Sequence, residues 1–506
     1  MKVNKGKRRL KKRSASPTPA PRKAAQDPGG SQRQQKAAVQ KNRKPDVQAA
    51  AAPKAAPARH KKHAEKKEKQ SFRERWFPKR EKGDPVILIC CLILLGLGIL
   101  MAGSLSNYKA FESYREAMSD FIKQILFAVT FLGACYLVDR FFSFKLMKYA
   151  AIPLILVYFA LMILVALKGD ENYGAKSWIY IGGVSVQPSE FFKPLIIALC
   201  ALMVYTYTKK KKCLEPTAKN FWRVTWLPAL CLAGTIGLLI AQKDIGTLTI
   251  CALISVVCFL IPSMPCLSKY QKWVKILMSV GVAASLVLFV FTDWGTRALA
   301  SSDRFSHIAV RINNFKDPYT DLMGQGFQTG NGLYAIGDGG LTGKGFGNSE
   351  RKYGFLTQAE SDFILSIIVE ELGLFGLLTV TVCYLLLGWR LFGFAIRARD
   401  QGDKVILSGV AAYFLLHFFI NVGGVGGLIP LTGVPLLLLS KGGTSMLATG
   451  IAVGLAQSSI RHVKADLKEH RRQEKARKLA EEQAEEKDQA SPADALYQPP
   501  LAKGAV

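Results

Sequence analysis

The sequence predicts an all-α polytopic membrane protein: ten transmembrane helices with one large extracytoplasmic loop between the seventh and eighth. Three observations carry that expectation. Apolar runs of about 20 residues, the length needed to cross a bilayer as a helix, recur ten times between residues 85 and 460. Basic residues cluster in alternate connecting loops. The formal net charge of +31, from 68 Lys+Arg and 37 Asp+Glu in 506 residues, sits mostly at one end. Residues 1–84 hold 27 Lys/Arg and 7 Asp/Glu, a net of +20, and residues 461–506 a net of only +1. The body between them is nearly neutral per residue, and the whole chain keeps a mean hydropathy of +0.16. A single soluble globular domain is excluded, and so is the nucleic-acid binder that the total charge first suggests, because the basic tail contains no recognition module.

The elements follow in order. Residues 1–84 form a basic cytoplasmic tail. Up to residue 83 its only large aliphatic residues are Val3, Leu10, Val39 and Val47, and its only aromatics are Phe72, Trp76 and Phe77. That is too little apolar surface to offset the entropy of ordering, so the tail is expected to be disordered. It retains the positive side of the chain in the cytoplasm and, through Phe72–Arg80, is suited to touching anionic membrane lipids. The spans are read at 85–104, 120–138, 148–167, 188–207, 223–241, 246–263, 273–292, 362–388, 405–427 and 434–458, together a membrane domain of residues 85–460. Backbone exposed to lipid must satisfy its own hydrogen bonds, which makes each of them a helix. With the tail cytoplasmic, loops 139–147, 208–222, 264–272 and 389–404 are cytoplasmic as well. They carry the basic residues, among them Lys209–Lys212, Arg397 and Arg399. The positive-inside bias therefore places both termini in the cytoplasm. Residues 461–506 form a charged C-terminal tail whose first part continues the last helix into water. The ten cysteines and six histidines lack the spacing of a disulfide framework or a transition-metal site.

Chemistry is expected in the extracytoplasmic loop, residues 293–361, because connections this long in a compact protein are usually functional. Glycines recur densely between 324 and 347, interleaved with Leu333, Tyr334, Ile336, Leu341 and Phe346. Such glycines permit close backbone approach to a ligand, and the apolar residues argue for packing onto the helices. Glu190 and Lys193 share a helix face at i and i+3, and charges at membrane depth are paired or functional. Asp362 is read as a candidate N-terminal cap of the eighth span. Glu370 and Glu371 lie too deep in the same helix for that role.

The chain resembles the SEDS family (shape, elongation, division, sporulation; FtsW, RodA and SpoVE) over about residues 85–460. The blocks that carry the resemblance are Gln187–Lys193, Lys243–Thr247, Arg311–Ser349, Ser361–Gly373 and Asn421 through Gly433–Ser445. Gly347-Asn-Ser349 looks more like the FtsW/SpoVE branch. The resemblance implies a peptidoglycan glycosyltransferase that polymerises lipid II for cell division or cell-shape growth. It implies Asp321 as the catalytic aspartate, a class B penicillin-binding protein and other divisome or elongasome membrane proteins as partners, and the bacterial cytoplasmic membrane as location. A pyrophosphate leaving group is already a stable anion, so one carboxylate acting as general base on the acceptor hydroxyl suffices. Arg311, Lys344 and Lys441 are candidate cations for the leaving group. Glu190, Lys193 and Ser440 complete the candidate substrate-binding set. No cofactor is required, although a divalent cation, Mg²⁺ or Mn²⁺, would suit the pyrophosphate. A lipid II transporter (flippase) or a non-catalytic division scaffold is the alternative reading. The chain departs from the family pattern at Leu322, Thr357 and Leu437, where the family has proline. It also departs at Ser177, where arginine is usual beside Lys176, and at Lys441, where tyrosine is usual.

Overall fold

The computed structural model describes residues 81–110, 113–172, 175–181, 184–209, 215–292, 294–301, 306–317, 319 and 325–494. The basic tail up to residue 80, Cys213, and both Asp321 and Leu322 lie outside the described residues. From Pro78 onward the chain forms one compact unit.

The expected helical body is present. In chain order it comprises α1 (Pro85–Ala110), α2 (Tyr114–Phe141), α3 (Phe144–Lys168), α4 (Ser189–Lys209), α5 (Ala218–Ala241), α6 (Ile245–Leu260) and α7 (Pro265–Ser285, continued by a π-helical turn to Phe291). After the large loop come α11 (Ile364–Arg397), α12 (Gln401–Val425) and α13 (Gly443–Asp494). Among the described residues, eight helices are long and apolar enough to cross a membrane: α1 to α5, α7, α11 and α12. The sixth and tenth expected spans are the two exceptions. Helix α6 has only 16 residues, and α13 mixes Gln457, Ser458 and Ser459 into its apolar stretch. These polar residues are buried against protein, so the weak hydropathy of α13 reflects helix–helix packing rather than exposure. Helices α4, α11, α12 and α13 supply much of the core, whereas α7 stands at the periphery with only Cys266 and Leu267 buried.

Two features were not anticipated. Between α3 and α4 lies a small antiparallel meander, β1 (Asp170–Asn172), β2 (Ala175–Ile181) and β3 (Val184–Val186), with Tyr180 opposite Ser185 and Ile181 opposite Val184. The β-branched and aromatic run Trp178–Ile181, followed by Gly182-Gly183, is the local signal for it. The large loop also contains three helices: α8 (Trp294–Ala300), α9 (Ser306–Lys316) and α10 (Gln325–Gly339). Helix α10 forms despite five glycines because two of them let it lie directly on α11. A Cβ at Gly339 would stand 2.0 Å from the Val369 carbonyl oxygen, and one at Gly332 2.7 Å from the Phe363 ring.

The first and last spans are pinned together. The backbone N–H of Asp84 donates to Gln457 Oε1 at 2.7 Å, and Gln457 Nε2 donates back to the Asp84 carbonyl at 2.9 Å. The Asp84 carboxylate caps α1 through the N–H of Val86 at 2.9 Å and pairs with Arg390 at the far end of α11.

Candidate active site

Helix α11 is the axis on which the Gly-rich loop is built. At Gly373 its backbone leaves the helix (φ 63°, ψ −152°). The carbonyls of Glu370 and Glu371 then lack their usual helical donors. They accept instead from loop N–H groups, Lys344 at 2.8 Å and Gly345 at 3.0 Å, while Leu374 N–H donates to the Gly340 carbonyl at 3.1 Å. The loop backbone thus replaces a turn of the helix ladder, satisfying polar groups that would be costly to bury unpaired. The crossing requires glycine. A Cβ at Gly373 would meet Gly343 N at 2.4 Å and the Leu341 carbonyl at 2.5 Å.

The two glutamates reinforce the same crossing with their side chains. Glu370 accepts from Ser349 Oγ at 2.5 Å and Glu350 N–H at 3.0 Å, and pairs with Lys344 at 3.4 Å. Glu371 accepts from Gly347 N–H at 3.0 Å and Ser104 Oγ at 2.5 Å, and pairs with Lys352 at 3.1 Å. Lys352 also donates to Ser104 Oγ and to the Gly347 carbonyl. Both carboxylates and the Lys352 ammonium are fully buried. Lys344, expected to face a leaving group, is held by Asp338 and Glu350 as well as Glu370, each within 3.4 Å.

Arg311, on α9, lies beside a different wall. Its Nη1 donates to the Thr432 carbonyl at 3.0 Å. It and Asp362 flank Gly433, where a Cβ would stand 3.4 Å from Asp362 Oδ2 and 4.0 Å from Arg311 Nη2. Asp362 is not the N-terminal cap it was expected to be. The capping position of α11 is Phe363, and no side chain bonds the first turn there. Burial pushes the Asp362 carboxyl up to about 6, against the opposing pull of the Arg311 charge. The Arg311 guanidinium is lowered by burial, against the charges of Asp362 and Asp244. Asp244 caps α6 through Thr247 N–H at 3.0 Å and accepts from Gln187 Nε2 at 3.0 Å.

The segment that carries Asp362 is fixed from α12 and from the stretch before α13. Asn421 Nδ2 donates to the carbonyls of Asp362 and Val434, at 2.8 and 2.9 Å. Ser440 Oγ donates to the Ser361 carbonyl at 2.7 Å and accepts from Leu436 N–H at 2.9 Å, so its hydroxyl is occupied in backbone support. Lys441 is bracketed by Asp120 at 2.6 Å and Glu360 at 2.9 Å. Two residues expected to depart from the resembled pattern have local partners. Lys441 makes an ion-paired bridge from α2 to the start of α11, and Thr357 accepts a hydrogen bond from Gln328, which a proline could not do.

Between α9, α10 and the end of α12 lies a cavity of about 140 Å³. Arg311, Asn314 and Thr329 form its polar lining, and Phe315, Leu333, Ile429 and Leu431 its apolar lining. Helix α12 opens this space by ending in glycines, with Gly427 at φ 67°. Asp321, between α9 and α10 in sequence, lies outside the described residues.

Glu190 and Lys193 do not reach this cavity wall. They form a buried pair at 2.6 Å inside α4, and Lys193 also contacts His417 Nε2 at 3.1 Å. His417 Nδ1 donates to the Tyr413 carbonyl at 2.7 Å, which leaves Nε2 as the acceptor for the ammonium. His417, Lys352 and Asn314 are the residues that sequence reasoning missed. Among the described residues no cluster of three or more metal-ligating side chains occurs.

Comparison with known proteins agrees with this architecture. The family described as cell cycle protein, FtsW/RodA/SpoVE, matches residues 85–465. A probable peptidoglycan glycosyltransferase FtsW from Enterococcus hirae is 34% identical over 391 residues, covering 76% of this chain and 94% of that protein. One from Trichlorobacter lovleyi is 31% identical over 376 residues, covering 74% of this chain and 91% of its own length. Among solved structures, a chain of a peptidoglycan synthase complex that coordinates polymerization and crosslinking has the same fold. Its TM-score is 0.57 at 24% identity, over 75% of this chain and 98% of that one. Matched along three-quarters of its length, with the helices and the large loop in family order, this chain belongs to the FtsW/RodA/SpoVE family.

Proposed function

We propose that this chain polymerises lipid II into glycan strands, with Asp321 as general base and undecaprenyl pyrophosphate as leaving group. The chain is a multi-pass bacterial membrane protein and a peptidoglycan glycosyltransferase by family. The observation that carries the site is the cavity between the end of α12 and α9 and α10, the two loop helices that bracket Asp321 in sequence. In this reading Asp321 takes the proton of the acceptor hydroxyl as that oxygen attacks the anomeric carbon of the growing chain. The bond to pyrophosphate breaks, and the leaving group carries the electron pair away. Of the candidate cations, Arg311 alone lines the cavity, and it faces the negative charge that develops there. Asp362 and Asn421 hold the wall behind it. Lys344, Lys441, Ser440 and the Glu190–Lys193 pair are each already engaged by protein groups and hold the surrounding helices and loop in place. Mg²⁺ or Mn²⁺ would accompany the pyrophosphate as part of the substrate.

Both termini lie in the cytoplasm in this proposal, with α8 to α10 on the outer side, and a class B penicillin-binding protein cross-links the product. Purified protein with its transpeptidase, given labelled lipid II, should form glycan polymer. Asp321→Asn should lower the rate by about 10²–10⁴-fold, the range for loss of a general base. Undiminished polymerisation by that variant would remove Asp321 from the mechanism.

A further inference from the structure

The lysines of the candidate set are neutralised by direct contact. Lys344 lies 3.4 Å from Glu370, Lys441 2.6 Å from Asp120 and Lys193 2.6 Å from Glu190. Arg311 is arranged differently. Its Nη1 donates to a neutral acceptor, the Thr432 carbonyl, and the carboxylates of Asp362 and Asp244 act on it through space. Its charge is balanced without being capped, which suits a cation that must receive an anion from the cavity it lines.

The two carboxylates differ in their duties. Asp244 caps α6 and accepts from Gln187 Nε2. Asp362 caps nothing at the start of α11. Asn421 Nδ2 fixes its carbonyl at 2.8 Å, and its half-buried carboxyl turns to the same space as Arg311. A Cβ on Gly433 would stand 3.4 Å from Asp362 Oδ2 and 4.0 Å from Arg311 Nη2. Gly433, at φ 73°, puts no side chain into that space. The acid and the base therefore face each other across an opening, and the acid is anchored while a leaving group is not. A group that departs must be held as its charge develops and let go afterwards, because holding the product as tightly as the transition state only slows turnover.

We infer that Asp362 is a release residue: its carboxylate competes with the departing pyrophosphate for Arg311 and takes the guanidinium back once the glycosidic bond has formed. The inference rests on the proposed activity and adds to it a way out for the product. Asp362 acts through Arg311 and is a positioning residue, not a catalytic one. The groups that face it are Arg311 from α9, the Ser361 hydroxyl beside it in the chain, neutral Asn421 from α12 and Gly433 before α13, with Asp244 at the start of α6 acting on the same arginine. With its carboxyl raised to about 6, Asp362 is ionised and competes at neutral pH, and it loses that charge as pH falls through 6.

The test measures product binding and turnover side by side. Full-length protein in nanodiscs is titrated with undecaprenyl pyrophosphate, for the wild type, Asp362→Asn, Asp362→Glu and the double variant Asp362→Asn/Arg311→Gln. At pH 7.5 Asp362→Asn should bind the product about tenfold more tightly, the scale on which one neighbouring charge acts on an ionised group. Its kcat and its KM for lipid II should fall together, as expected when release becomes slow. Asp362→Glu should return both toward wild type, and Arg311→Gln should cancel the gain in binding. The ratio between wild type and Asp362→Asn should shrink toward one as pH falls through 6. Product binding that is unchanged or weaker in Asp362→Asn at pH 7.5 overturns the inference, and so does a ratio that stays constant with pH. A fall in Tm with no rescue by Asp362→Glu also overturns it, since Asp362 would then be structural. Tighter binding through Arg311 in a protein that forms no glycan under any condition would keep the competition and overturn the polymerase reading.

Discussion

At the scale of single residues, the protein separates buried charges that hold it together from the few that face open space. The Lys352–Glu371 pair belongs to the first kind. Removing one partner of a buried pair leaves the other uncompensated, at a cost of about 3–5 kcal/mol. Glu371→Gln should therefore lower stability by that amount in chemical unfolding, and adding Lys352→Met should recover most of it. A double variant no more stable than the single one would mean that the carboxylate serves the loop N–H groups rather than the lysine. His462 offers a gentler control. The Asp403 carboxylate, 3.4 Å away, raises its pKa above the ordinary value of 6.5 by hydrogen bonding. The protonated form is thus favoured in the folded state. Its stabilisation is complete below about pH 6.5 and disappears as pH rises through the folded-state value. Thermal melts of wild type and His462→Gln should differ most below pH 6.5, and the difference should shrink as pH rises above it. These partnerships were not legible in the sequence. Ser104 and Glu371 are 267 positions apart and Lys193 and His417 are 224 apart, so no periodicity links them. The pairing of Glu190 with Lys193 was legible, because i and i+3 positions meet on any helix.

At the scale of elements, the spans were readable because lipid imposes one length and one chemistry on them. The meander between α3 and α4, and the helices of the large loop, were not. Glycine density in that loop suggests flexibility when read locally, yet Gly332 and Gly339 are there because α10 lies so close to α11. Only the partner's position reveals whether a glycine serves motion or contact. Gly373 joins both helices to the loop, and its φ of 63° is strained for any other residue. Gly373→Ala would bring a Cβ within 2.5 Å of two loop backbone atoms, so it should release residues 340–352. Limited proteolysis checks this: cleavage should appear within that segment at a protease level that spares the wild type. Unchanged protection would mean that α11 alone orders the loop. The cavity itself was only half legible. Arg311 stood in a family block, whereas Ile429 and Leu431 join it only where the end of α12 meets α9 and α10.

At the scale of the whole molecule, the charge of +31 describes the tail more than the machine. The compact unit begins at Pro78, so removing residues 1–77 should leave Tm and lipid II polymerisation within error of the full chain. It should also abolish salt-sensitive binding to vesicles containing anionic lipid, since each basic residue near such a surface contributes about 1 kcal/mol. Loss of polymerisation in that variant would give the tail a catalytic role that its composition does not suggest. The pin between Asp84 and Gln457 has a consequence in time. Its two halves lie 373 residues apart. At synthesis rates of about 5–20 residues per second, the first span waits roughly 20–75 s for the residue that completes its N-terminal end. Throughout that interval the Asp84 backbone N–H and carbonyl lack the partner they have in the finished protein, so the first and last helices are joined only when the last one arrives.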